Sequence, residues 1–345
     1  MTLWALWYAS LALAALSVLV MLGLVAHRVF RSGRDRVADA RRNAISTALV
    51  EFLDGAASQE QVLSVSGGRI DLLAELVTRM RELVRGDDAS RLVEIVRASG
   101  GFASAVERLR RRDPLARIEA VRHLVIYGQD ASPILSACLS DPNTAVRVAA
   151  ATELMSFGAT PALRTLAVAL DVGQTSRSDG LRQVFRPAVA ANLDEAVALL
   201  KDGRSSEALC VLLLDGLAQA GALGALEAVK AATRDPFTTV RAEALRTLGA
   251  FGHPLAAPEV LAALSDPSWW VRAQAANAAR RIGVVEAVRP LERLLKDRQW
   301  WVRLRAAEAL SSLGPPGLAS LRMVSRRDDD AGRIAQVVLA EAGFA

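Results

Sequence analysis

Apolar and small residues recur three and four positions apart along most of the chain, and short polar segments interrupt them at regular intervals. In residues 266–283, DPSWWVRAQAANAARRIG, the residues Val271, Ala275, Ala278 and Ile282 fall on one face of a helix. An Asp-Pro pair precedes that face and a glycine follows it. The aspartate is read as the cap, the proline as the first helical residue, and the glycine as the left-handed turn that ends the helix. A second amphipathic stretch adjoins each such segment, as in APEVLAALSDP (257–267) and AVRPLERLLKDR (287–298). The predicted unit is therefore two antiparallel helices that bury their apolar faces only when neighbouring units stack on them.

The unit repeats. Residues 113–128, 141–158, 235–252, 266–283 and 297–314 share a polar start, an arginine, small residues and a closing glycine. Their equivalent arginines are Arg117, Arg147, Arg241, Arg272 and Arg303. Degenerate copies are visible at 181–193 and 208–221, and a last one at 332–343. Residues 37–112 keep helical periodicity but lack the Asp-Pro signature.

These segments resemble HEAT repeats, specifically the short bacterial type similar to the phycobilisome-lyase subgroup. The resemblance implies an all-α fold, a right-handed α-solenoid of stacked antiparallel helix pairs. It also implies that aspartates and arginines of successive repeats hydrogen-bond neighbouring units: Asp141 and Arg147, Asp235 and Arg241, Asp266 and Arg272, Asp297 and Arg303. Two copies depart from the pattern. Cys210 stands in an arginine slot, and the copy at Arg182 has no Asp-Pro and follows an insertion, VGQTSRSDG (172–180), where the stack is expected to bend or loosen.

The amino-terminal pattern differs. Residues 3–26 form one apolar run without a charge, long enough as a helix to cross a hydrocarbon core of about 30 Å. Trp4, Trp7 and Tyr8 sit at one end, where amphipathic rings favour the interface, and Arg28, Arg31 and Arg34 follow the other. No basic segment precedes the run, as a cleaved signal peptide would require. The expected organisation is a single-pass transmembrane anchor (1–28), a juxtamembrane segment with degenerate helical repeats (29–112), and the repeat domain (113–345). The basic residues after the run place the amino terminus outside and the repeats in the cytoplasm, at the inner membrane.

Composition adds little chemistry. Apolar residues make up 52% of the chain, the net charge is +5, and arginine greatly outnumbers lysine. The two cysteines, Cys138 and Cys210, exclude a disulfide framework, and no Cys/His metal pattern exists. His27, His123 and His253 are scattered, and no catalytic triad or phosphate loop can be assembled. An arginine-rich run, VERLRRRD (106–113), reads as a solvated helix end or a basic patch. No cofactor is expected. A non-catalytic, membrane-anchored scaffold for a protein partner fits best, with membrane lipid met by the anchor. A bilin-lyase-like enzyme and a nucleic-acid-binding solenoid are the alternatives, and the membrane anchor counts against both.

Two near-identical Trp-Trp pairs begin the helices at 269–270 and 300–301. Helical geometry aims Trp269 and Trp300 away from the buried stripe and sets Trp270 and Trp301 along its flank, where they are expected to join the core. Trp269 and Trp300 are therefore expected to pair on an outer edge, with Phe237 extending them as a partner-binding patch. Packing of all four rings between repeats is the competing expectation, and the sequence leaves both open.

Overall fold

The computed structural model describes residues 21, 39–84, 86–173 and 178–343. The anchor prediction, with Trp4, Trp7, Tyr8, Arg28, Arg31 and Arg34, lies outside the described residues. No helix among those described is long and apolar enough to cross a membrane. All regular structure among the described residues is helical.

The chain divides into two compact units, one ending at Ala131 and one beginning at Ser132. The copy at 113–128, assigned to the repeat domain by its sequence, lies in the first unit. That unit comprises α1 (39–53), α2 (Gln59–Ser66), α3 (Ile70–Leu83), α4 (Asp87–Ala98), α5 (Gly101–Arg108) and α6 (Pro114–Leu124), followed by a 3₁₀ segment, Val125–Ala131. Its core gathers Leu49, Leu73, Val77, Leu92, Ile95 and Leu124. Arg108, read from sequence as part of a solvated run, is buried here. It pairs with Asp71 at 2.6 Å and donates to His123 Nδ1 at 3.0 Å. Burial, and next the Arg108 charge, hold the His123 pKa below its ordinary value.

The second unit is a row of helix pairs: α7 (Ser132–Cys138) with α8 (Thr144–Ser156), α9 (Leu163–Ala169) with α10 (Ser178–Ala191), α11 (Leu193–Lys201) with α12 (Glu207–Ala220), α13 (Leu226–Ala232) with α14 (Thr238–Phe251), α15 (Ala257–Ala263) with α16 (Trp269–Ile282), α17 (Val288–Leu294) with α18 (Trp300–Ser312), and α19 (Gly314–Ser325) with α20 (Asp330–Glu341). The second helices of successive pairs lie side by side, α10 against α12, then α14, α16, α18 and α20. Small residues permit this closeness. Ala275, Ala276, Ala278 and Ala279 of α16 are all buried, and a Cβ at Gly216 would come within 2.7 Å of Val189 Cβ on α10. Gly252 and Gly283 end α14 and α16 at φ +64° and +81°, where a side chain would be strained.

The helix starts differ from the expected caps. Of the five aspartates that open the repeat segments, only Asp113 caps its helix directly, accepting from Leu115 N–H, with Pro114 as the first helical residue. Asp141, Asp235, Asp266 and Asp297 instead accept from the N–H two residues ahead, at Asn143, Phe237, Ser268 and Gln299, over 2.8–2.9 Å. The helix then begins one residue later. The aspartate thus closes an Asx turn and keeps its other lone pairs for a neighbour.

Candidate functional site

Four arginines on the second helices bind back onto their own loops. Arg272 Nη1 donates to the carbonyls of Asp266 and Pro267 at 2.8 and 3.0 Å, six and five residues earlier. Its Nε and Nη2 reach the next repeat and grip Asp297 in a two-pronged pair, 2.8 and 3.0 Å. Arg241 repeats this with Asp235 O, Pro236 O and the Asp266 carboxylate. Arg303 makes the same loop contacts to Asp297 O and Arg298 O, but its forward partner, Asp330, is 3.8 Å away and largely exposed. Arg147 holds its own loop and pairs forward with Asp171, whose φ of +51° places it in the left-handed region. Each guanidinium therefore ties a loop to itself and to the next repeat.

The ladder has a gap. Cys210 occupies the slot before Arg241, so Asp235 receives no guanidinium from the preceding repeat. Burial, helped by the Asp235 charge, pushes the Cys210 thiol up to about 11.

Close by, on α12, lies a group that periodicity did not mark. Asp215 is 2% exposed and accepts from Arg182 at 3.1 Å and Arg186 at 2.7 Å on α10, and from Arg246 at 2.8 Å on α14. Burial by itself would raise its pKa, but the Arg186 hydrogen bond and the three positive charges outweigh that and hold it below the ordinary carboxylate value. The available signal was a lone acid in the apolar helix EALCVLLLDGLAQA, with Arg246 at the same register one repeat later.

The tryptophans are exposed, and the face assignment from sequence is corrected. Trp269 and Trp270 are 42% and 39% exposed, Trp300 and Trp301 48% and 52%, and Phe237 48%. The predicted core role of Trp270 and Trp301 fails because each first turn buries its valine, Val271 or Val302, and leaves the preceding ring exposed. The Trp269–Trp300 ring pair does not form among the described residues. Trp301 instead packs edge-on against Trp300, centroids 4.8 Å apart. Phe237 is the residue before α14, so its register equivalents are Ser268 and Gln299 rather than a tryptophan.

Trp270 has a defined setting. It walls a groove of about 440 Å³ together with Arg182, Ala208, Val211, Thr239 and Glu243. Thr239 donates to Glu207 across this groove, linking α14 to α12. Apolar walls with a few fixed polar groups are the general make-up of a binding cleft. Among the described residues, no set of His, Cys, Asp and Glu is arranged to hold a metal ion.

The family model for HEAT repeats matches residues 225–311 and, overlapping them, 257–340. Together the two matches run from residue 225 to residue 340, about a third of the chain. The match is to HEAT repeats as such and does not single out the phycobilisome-lyase type. A comparison with curated proteins finds no match. Among solved structures, an engineered protein is 16% identical, covering 87% of this chain and 99% of its own at a TM-score of 0.39. The Escherichia coli protein YibA is 17% identical, over 70% of this chain and 92% of its own, TM-score 0.40. Kap121p bound to Nup53p is 12% identical, over 88% of this chain, TM-score 0.50, and this chain spans 42% of it. At these identities the likeness speaks to the fold alone.

Proposed function

We propose that this chain is a non-catalytic scaffold whose HEAT repeats dock a protein partner, with residues 3–26 tethering it to the cytoplasmic membrane and the repeats on the cytoplasmic side. The groove walled by the half-exposed Trp270, with Arg182, Thr239 and Glu243 as its fixed polar groups, carries the reading. Clustered exposed tryptophans are the usual anchors of protein interfaces, and a solvated helix end gains nothing from them. HEAT repeats offer a long surface for such contacts, and Kap121p, of similar fold, was solved bound to Nup53p. A tether raises the effective concentration of a partner at the same membrane without adding contacts. The sequence assigned contact to Phe237, Trp269 and Trp300; the groove gives the central place to Trp270.

A photo-crosslinking residue placed at Ala208 in the full-length protein, in its own membrane, tests this. One discrete protein adduct, lost in a Trp270→Ala background with the helical signal unchanged, is expected. A diffuse adduct pattern indifferent to Trp270 would remove the groove from the reading.

A further inference from the structure

The second helices of the second unit begin along one edge, because each Arg–Asp rung joins the start of one to the loop before the next. Phe237, Trp269, Trp300 and Trp301 stand on this edge, each between 42% and 52% exposed. The same loops carry exposed Arg204, Arg234 and Arg298, and no side-chain carboxylate pairs with them among the described residues. Lys201 and Lys296 are exposed there too.

The acids of these loops are all turned to internal work. Asp202 pairs with Arg164, Glu207 accepts from Thr239, Asp235 closes its turn, and Asp266 and Asp297 are held by Arg241 and Arg272. From 201 to 301 the edge therefore presents half-exposed aromatics and five exposed cations, Lys201, Arg204, Arg234, Lys296 and Arg298, which outnumber its two acids held only by neutral donors, Glu207 and Asp235. The row ends at the next loop, where Asp328, Asp329 and Asp330 answer Arg326 and Arg327.

We infer that this edge docks on an anionic lipid surface, the aromatic rings entering the headgroup layer and Arg204, Arg234 and Arg298 meeting lipid phosphates. Tryptophan favours that layer because its ring is apolar and its indole N–H still finds an acceptor there. Each basic residue near an anionic leaflet adds roughly a fivefold preference for the docked state. An acidic protein segment would satisfy the cations as well. Four aromatic rings spread along a line of loop tips, rather than around a pit, fit a flat layer better, whereas the pit belongs to Trp270. The inference is compatible with the tether and does not depend on it.

The six tryptophans make the test direct. In full-length protein carrying Trp4→Phe, Trp7→Phe and Trp270→Phe, all indole emission comes from Trp269, Trp300 and Trp301. This protein is mixed with phosphatidylcholine vesicles containing brominated acyl chains, with or without phosphatidylglycerol. Blue-shifted, quenched emission with phosphatidylglycerol is expected, weakened by salt and by its omission. Replacing Arg204, Arg234 and Arg298 by Gln should lower the docked-to-free ratio about fivefold per charge, roughly a hundredfold in all, with circular dichroism unchanged. Unquenched emission with phosphatidylglycerol overturns the inference, whether or not the protein floats with the vesicles; flotation with phosphatidylcholine alone reports the tether separately. Emission that shifts only when a protein partner is added assigns the edge to that partner and overturns the inference equally.

Discussion

The stretch from α13 to α18 and the stretch from α9 to α12 solve one problem in two ways. In the first, each repeat is fastened to the next by an arginine that reads two loop carbonyls and one forward carboxylate, and the fastening copies itself every thirty-one residues. In the second, the arginine slot holds Cys210, the loop before α10 is longer, and α10 carries Pro187 within it. There the connection moves from the loops to the helix bodies: Asp215 on α12 collects Arg182, Arg186 and Arg246 from both neighbours. A repeat array thus tolerates loss of a loop fastening where a buried charge cluster bridges three consecutive second helices.

The sharpest way to break this comparison is Asp215→Ala. It leaves Arg182 and Arg186 without their counter-charge, beside an Arg246 that keeps Glu243, and should lower unfolding free energy by about 3 kcal/mol in urea titrations. Arg272→Ala, removing one complete rung, should cost about 2 kcal/mol. Arg303→Ala should cost about 1 kcal/mol or less, because its forward partner is distant and exposed. Equal losses for Arg272 and Arg303 would show that the loop carbonyls, and not the forward carboxylates, do the fastening.

Acid separates the two regions further. The Asp215 pKa is lower folded than unfolded, so its stabilisation is complete above the unfolded value, near pH 4, and disappears as pH falls through the lower folded value. Asp215→Asn should flatten that part of the stability–pH curve; an unchanged curve would exclude the cluster as its source. The smallest expected effect is a gain. Cys210→Arg offers Asp235 the missing guanidinium and should add up to about 1 kcal/mol. A loss of stability instead would show that the rung geometry does not transfer to α12.

Much of this was legible in the chain. The repeat, the helix pairing and the residue types of the rungs follow from spacing, because a stacked unit must present the same groups to each neighbour. The rung partners were less legible. Arg147 finds Asp171, which no Asp-Pro announces, since a residue at positive φ brings that carboxylate into place. The helix starts were misplaced by two residues because an aspartate before proline serves either a cap or an Asx turn, and the choice depends on the next repeat. The tryptophan faces were misread for a related reason. A helical wheel puts Trp270 and Trp301 beside the buried Val271 and Val302, but at the helix start the ring on the flank of that stripe stays exposed.

Cys210 carries a consequence of its own. A thiol whose pKa stands near 11 is almost wholly protonated at neutral pH and is slow toward alkylating reagents. Its modification rate in native protein therefore measures how often the join between α12 and α14 breathes open, a clock placed by the sequence where a cysteine stands in the arginine slot.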